Sequence, residues 1–298
     1  MIETIGVASG EDFSVASVTC RNDHRRWSDP EVRDHHGMVL VRRGRFRRSH
    51  GGESVDVDPT LAYLAEPGAE ERFAHPDGGD ACTSIVFSPG LWQSMTDGEP
   101  GRVTRSAVYV DARIDLAHRR TLAAAPDVGY AVAEELVLLL RGVVEQVVAA
   151  PPAHPSPARD RALVAGAREA IGEGHRASAA LIPLAGLLGV SPYRLSRAFT
   201  RETGVSLTRY RNRVRVGRAL DRLEGGEESL AVLAADLGFA DQAHLCRTVR
   251  EHVGHTPTSL RTLLAGDGPG STRRERTWPA RSGNAGARGF RPPEEETP

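Results

Sequence analysis

Apolar residues follow two different periods along the chain, and this difference divides it into two predicted regions. In residues 38–88, short apolar or β-branched runs alternate with polar positions and are separated by Gly and Pro turns, as in β-strands. Several strands at this spacing favour an antiparallel barrel. The predicted strands are Met38–Val41, Arg45–Arg48, Ser54–Val57 and Thr83–Phe87. Further along the chain, the apolar residues follow the helical period.

Helices are predicted at Leu116–Leu122 and Tyr130–Ala149, and the second would pack on the barrel or on its twin in a dimer. A proline-rich stretch, PPAHPSP, predicts an extended linker. The following hundred residues are helical in pattern, whereas the last segment lacks apolar periodicity and is predicted to be disordered. The predicted divisions are 1–150 for the first domain, 151–158 for the linker, 159–265 for the helical domain and 266–298 for the tail.

One pattern occurs twice in the helical region, as LAGLLGVSPYRLSRAFTRETG at 184–204 and LAADLGFADQAHLCRTVREHVG at 233–254. Each copy predicts a short apolar helix, a turn entered through Gly and a second helix that is polar on one side. Ser191 and Asp241 precede the second helices and are their predicted N-caps. This is the pattern of two helix-turn-helix units, which suggests a protein that reads DNA with two recognition helices.

The outward faces of both second helices carry the side-chain types that bind base edges. Arg can bond two acceptors on guanine, and Gln prefers adenine. An arginine-rich helix, Leu207–Leu223, joins the units, and several of its arginines are expected to contact phosphates. The two recognition helices are expected about 34 Å apart, which is one turn of DNA. The predicted DNA-binding residues are Tyr193, Ser196, Arg197, Arg201, Arg215, Gln242, Ala243, His244, Cys246 and Arg247.

Residues 175–263 resemble the DNA-binding domain of the AraC/XylS family of transcription regulators. The two repeats carry the resemblance, together with the closing GHTP-x-x-x-R formed by Gly254–Pro257 and Arg261. The chain departs from the family at Leu245 and Val249, where aromatic residues are usual, which predicts looser packing of the second unit. The stretches VLVRRGRFRR and AEPGAEERFAHP resemble the family's cupin-like sensor domain, which implies sensing of a small molecule and dimerisation.

The expected fold class is therefore α+β, with a cupin-like antiparallel barrel and flanking helices before an all-α domain of two helix-turn-helix units joined by a linker helix. The resemblance implies a transcription regulator, such as an activator, that binds double-stranded DNA in response to an effector. RNA polymerase and a second copy of the chain are the expected protein partners. No cofactor, membrane association or enzymatic activity is expected. Neither the effector nor its binding residues can be named from the sequence.

Charge and cysteine usage agree with that interpretation. Residues 1–150 carry 16 arginines and 23 acidic residues, whereas residues 151–265 carry 16 and 11, so the repeats lie on the basic segment. Three cysteines and the absence of a signal-like N-terminus or an apolar run of about 20 residues suggest a cytoplasmic protein.

Two alternatives remain open at this point. Cys20, His24, His75 and Cys82 could form a metal or thiol-redox site, although no spacing among them matches a standard zinc motif. We expect structural roles for these residues. A cupin-type metalloenzyme fused to a DNA-binding domain is the more remote alternative, because the sequence offers no recognisable catalytic constellation.

Overall fold

The computed structural model of the protein describes residues 1–21, 24–96, 106–149 and 157–264, which fall into two compact units. The first unit contains Met1–Val110 and Thr121–Ala150. The second contains Asp111–Arg120 and Pro151–Gly266. The contacts thus group Asp111–Arg120 with the helical unit, although the sequence interpretation assigned these residues to the first domain. Most of the predicted linker and the whole predicted tail lie outside the described residues.

The first unit is built on two antiparallel sheets. The six-stranded sheet has the order β1-β2-β9-β4-β7-β10, and the four-stranded sheet has the order β3-β8-β5-β6. The strands are β1 Ile2–Ser9, β2 Phe13–Cys20, β3 Glu31–Val32, β4 His36–Arg43, β5 Phe46–His50, β6 Glu53–Val57, β7 Leu61–Ala65, β8 Glu70–Ala74, β9 Asp80–Phe87 and β10 Ala107–Tyr109. All four predicted strands are present, and each is longer than its prediction or shifted by one or two residues.

Side chains from both sheets form the core of the first unit. Val41, Tyr63 and Cys82 come from the larger sheet, while Phe46 and Val57 come from the smaller one. The rings of Phe46 and Tyr63 meet edge to face, with centroids 6.3 Å apart. Alternation along each strand places these residues inside, so the β part of the α+β fold is confirmed.

Two helices complete the first unit, α1 at Pro89–Met95 and α3 at Ala133–Ala149. The chain enters α3 through a π-helical turn, Val128–Val132, which Asp127 caps by accepting a hydrogen bond from the Tyr130 amide at 3.2 Å. The inner face of α3 is buried, whereas Val137 and Leu138 are exposed.

The second unit consists of helices. Its first residues, Asp111–Arg120, include most of α2, which spans Ala112–Ala123. The others are α4 Ala158–Gly172, α5 Leu181–Leu187, α6 Pro192–Thr203, α7 Leu207–Glu224, α8 Leu230–Asp236, α9 Gln242–Val253 and α10 Pro257–Leu264. No helix in the described ranges combines the length and apolarity that crossing a bilayer requires.

Candidate nucleic-acid interface

The first helix-turn-helix unit is formed by α5 and α6 around a tight turn at Gly189. Gly189 has φ of 66°, a left-handed conformation that only glycine adopts without strain. Ser191 then caps α6 by accepting a hydrogen bond from the Arg194 amide at 3.2 Å, and Pro192 occupies the first helical position. The helix ends at Gly204, whose φ is 74°. Local chemistry therefore fixes both ends of the predicted recognition helix.

Helix α6 has one apolar and one polar face. Leu195 and Phe199 are fully buried, and the Phe199 ring meets Tyr210 of α7 edge to face at 5.0 Å. On the other side Tyr193 and Arg197 are exposed, while Ser196 is half-buried. The apolar side thus anchors the helix and leaves the polar side outward.

Tyr193 and Arg197 act as a pair on this outward face. Arg197 Nη1 donates to the Tyr193 hydroxyl at 2.7 Å, and the guanidinium carbon lies 5.5 Å from the centre of the tyrosine ring. The hydrogen bond from Arg197 to Tyr193 raises the pKa of the arginine above its usual value, so it remains charged. Residues four apart on a helix are neighbours, which explains how the tyrosine orients the guanidinium.

Arg201, one turn further along α6, is paired with a residue of the same chain. It forms an ion pair with Asp160 of α4, and Arg194 Nη2 lies 3.5 Å from the other oxygen of the same carboxylate. Asp160 is buried, so this contact ties α6 to α4. This role of Asp160 could not be predicted from the sequence, because a single acidic residue in a first helical turn gives no sign of it.

The second helix-turn-helix unit, formed by α8 and α9, is built in the same way. Gly238 has φ of 69° in the turn, and Asp241 caps α9 by accepting from the His244 amide at 2.6 Å. Leu245 and Val249 are both 0% exposed. The prediction of looser packing at these two aliphatic residues is therefore not supported by their burial.

The predicted contact residues of α9 fall into two groups. Gln242, Ala243 and Arg247 are exposed on the outward face. His244 and Cys246 are half-buried, and the His244 ring meets Phe239 edge to face at 5.3 Å. The Nδ1 atom of His244 also accepts from the Ala240 amide at 3.4 Å, so this ring is engaged with the turn that precedes its helix.

Arg215 of α7 does not occupy the position that the phosphate prediction requires. It is 7% exposed, its Nε donates to the Leu237 carbonyl at 2.8 Å, and its guanidinium carbon lies 3.7 Å from the centre of the Phe239 ring. Burial lowers its pKa to about 10, with a smaller contribution from Arg211. The phosphate prediction for Arg215 is corrected because its side chain points away from the surface. It packs between α7 and the second helix-turn-helix unit.

A buried ion-pair network holds α2 against α7 within the second unit. Arg213 Nη2 lies 3.0 Å from Asp115 Oδ2, and both side chains are buried. Arg119 bonds Asp115 at 2.9 Å and also reaches Asp221 and Glu224, each at 2.7 Å. Burial alone would raise the pKa of Asp115, but the nearby guanidinium groups of Arg213 and Arg119 outweigh it, so the pKa is lowered. The carboxylate is therefore ionised at neutral pH.

Comparison with known families locates the same segment. A family model described as a helix-turn-helix domain matches residues 184–262. No curated protein sequence matches the chain.

Several solved structures are similar to this chain. ToxT from Vibrio cholerae strain SCE256, with an unsaturated fatty acid bound, is 11% identical over 86% of this chain and 97% of its own, with a TM-score of 0.35. The C-terminal domain of AraT, a response regulator from Geobacillus stearothermophilus, is 23% identical over 38% of this chain and 94% of its own, with a TM-score of 0.34. A cupin superfamily protein from Desulfitobacterium hafniense DCB-2 is 11% identical over 29% and 77% of the two chains, with a TM-score of 0.26. At these TM-scores the likenesses support no inference about ligands or partners.

Proposed function

We propose that this chain is a DNA-binding transcription regulator of the AraC type, which recognises its operator through α6 and α9 in response to a small-molecule effector; the helix-turn-helix domain at residues 184–262 supports this. The observation that carries this proposal is the matched construction of the two helices. Each is capped by a side chain, anchored by buried aliphatic or aromatic residues, and polar with an exposed arginine on its outer face. That combination suits insertion into two successive major grooves.

Base recognition is assigned to the outward residues of the two helices. On α6 these are Tyr193, Ser196 and Arg197, with the Tyr193 hydroxyl holding the guanidinium in one orientation. A pre-oriented guanidinium loses less freedom when it bonds the two acceptors of guanine. On α9 Gln242 and Arg247 are the expected base readers, whereas Ala243 would contact a thymine methyl group. His244 and Cys246 border that surface and contribute less, because they are half-buried.

We assign effector binding and dimerisation to the first compact unit, which contains the two sheets. Its core between two sheets is the type of architecture that encloses small ligands, and the exposed Val137 and Leu138 on α3 offer an apolar surface for a second copy. The proposal further includes a cytoplasmic location, contact with RNA polymerase at the promoter and no catalytic turnover. Substituting Leu138 by Glu should then shift the protein from dimer to monomer, without changing the sequence preference of its DNA-binding domain.

Selection of bound sequences from a random DNA pool, with the full-length protein, tests the central proposal. We expect two short sequence boxes about one helical turn apart. Arg197→Ala should blur one base position in one box, and Arg247→Ala should blur one position in the other. Arg72→Ala, which removes the same charge from an exposed position on β8 in the first unit, is the matched control and should leave both boxes intact. A single box that responds to only one of the two variants would contradict the role of the other helix.

A further inference from the structure

The arginines of helix α6 lie together on one side of it. Arg194 precedes Arg197 by three positions and Arg201 follows it by four, so both are neighbours of Arg197 on the helix surface. The side chains of Arg194 and Arg201 are 48% and 54% exposed. Like charges at this spacing repel each other. Without a further contact, these two arginines would be available to the phosphates of any DNA that α6 approaches.

One carboxylate binds both of these arginines. Asp160 Oδ2 accepts a hydrogen bond from Arg201 Nη2, and Asp160 Oδ1 lies 3.5 Å from Arg194 Nη2. Each carboxylate oxygen therefore has its own guanidinium partner. The Asp160 side chain is only 10% exposed, so these contacts are better shielded from water than an ordinary surface ion pair.

Helix α4 fixes this carboxylate beside α6. Asp160 lies in the first turn of α4, where the helix dipole favours a negative charge. Leu163, Val164 and Ala167 of the same helix are buried, and α4 packs chiefly on α6. The position of the carboxylate is therefore determined by the packing of two helices, and the arginines must leave it in order to reach a phosphate.

These contacts divide the arginines of α6 into two groups. Arg197 is oriented by Tyr193 of its own helix, whereas Arg194 and Arg201 are held by Asp160 of another helix. A phosphate that approached either of the held arginines would also meet the negative charge of Asp160. Phosphate contacts add affinity for every sequence alike. Restraining two arginines therefore reduces sequence-independent binding and leaves the base contact of Arg197 with a larger share of the affinity.

We propose that Asp160 is a specificity-determining residue, which restrains Arg194 and Arg201 and thereby limits binding to DNA of arbitrary sequence. This inference rests on the proposed role of α6 as a recognition helix. Asp160 itself contacts no base, so it is a positioning residue that acts through the two arginines. A merely structural role has the opposite signature, because its loss would weaken binding to every DNA.

The variant Asp160→Asn tests this proposal in the full-length protein, since it keeps the shape of the side chain and removes its charge. Fluorescence anisotropy measures affinity over a range of salt concentrations. The two probes are the operator duplex obtained by selection and a duplex of the same composition in shuffled order. For the shuffled duplex we expect binding about 5–10-fold tighter at about 0.1 M salt, and a salt slope steeper by about 0.9, for each arginine that reaches a phosphate. Affinity for the operator should rise less, because base contacts already fix the position of α6.

Two controls show whether the gain comes from the two arginines. Glu173→Gln removes the same charge from an exposed position just beyond α4 and should leave both affinities and the salt slope unchanged. Asp160→Asn should also have no effect in a protein that already carries Arg194→Gln and Arg201→Gln. A gain that persists in that background would overturn the proposal, and so would weaker binding of Asp160→Asn to both duplexes.

The double variant Arg194→Gln/Arg201→Gln is a second test that leaves Asp160 in place. Affinity for the shuffled duplex and its salt slope should remain close to those of the wild type, because Asp160 already keeps these arginines from phosphate. A slope that is shallower by about 0.9 or more would mean that the wild-type arginines contact phosphate, and would overturn the proposal whether or not Asp160→Asn folds.

The outcomes separate this inference from the proposed function. A protein that selects no sequence from a random DNA pool would lose the proposed function. A protein that selects its operator, but whose Asp160→Asn variant binds the shuffled duplex no more tightly, would lose only the role of Asp160.

Discussion

Replacing Arg215 by Met tests whether this arginine supports the fold or contacts phosphate. Met keeps an unbranched apolar stem but removes the charge. The variant loses a cation–π contact of about 2 kcal/mol and a charged hydrogen bond to Leu237 of about 2 kcal/mol. It also removes a charge that burial disfavours, since the pKa of Arg215 is lowered to about 10, and this gain offsets part of the loss. The expected net effect is a loss of about 1–3 kcal/mol in the free energy of unfolding.

Two measurements on the same full-length protein separate the two roles. Urea unfolding followed by far-ultraviolet circular dichroism reports mainly on the helical unit and should show the loss of stability. Operator affinity measured over a range of salt concentrations should keep its slope, because a buried side chain neutralises no phosphate. Arg209→Met, at an exposed position on the same helix, is the matched control and should change the unfolding free energy by less than about 0.5 kcal/mol.

The result that would refute this reasoning is a fall of about 0.9 in the salt slope of Arg215→Met with unchanged stability. That outcome would mean that the side chain leaves the Phe239 ring and reaches a phosphate when DNA binds.

Three further predictions concern the second compact unit, which is helical. Arg197→Ala should weaken operator binding by about 1–3 kcal/mol and relax preference at one base pair, and an equal loss on every sequence would exclude base recognition by this residue. Asp115→Asn should lower the unfolding free energy by about 3–5 kcal/mol, since it removes the charge that balances the buried guanidinium of Arg213. A loss of less than about 1 kcal/mol in urea unfolding would contradict this. Because the pKa of Asp115 is lowered in the folded protein, its ionised form stabilises the fold above about pH 4, and that contribution is lost as pH falls further. The stability difference between wild type and Asp115→Asn should therefore shrink in acid, and a constant difference would count against the ion pair.

The helix-turn-helix units could be predicted closely because short-range chemistry determines their limits. Ser191 and Asp241 cap helices that begin at the next residue, and Gly204 and Gly254 end them in left-handed conformations. None of these signals depends on distant parts of the chain. The strand around Met38 could also be predicted from its apolar run, but Met38, Leu40 and Val41 are buried on both of its faces, so no alternation indicates which side chains face which core.

Elements that depend on distant partners could not be predicted in this way. Strand β1, Ile2–Ser9, is largely exposed at the edge of the sheet and shows no clear alternation of burial. It is stabilised by pairing with β2, a contact that single-sequence periodicity does not encode. The contacts of His75 with Cys20 and Asp80 have the same origin, because they exist only when β2 and β9 are adjacent. Motif spacing describes residues close in sequence and does not find contacts that are assembled across a sheet.

In the helical region, the number of arginines does not tell how many of them can contact DNA. Net positive charge indicates a nucleic-acid partner, but several of the contributing side chains are used inside the protein. Arg213 is paired with Asp115, Arg222 with Glu227 and Asp236, and Arg215 is stacked on an aromatic ring. Charges that are already neutralised or buried release no counterions when DNA binds. The salt dependence of operator binding should therefore reflect the exposed arginines of α6 and α9 and be smaller than the arginine count of the segment suggests.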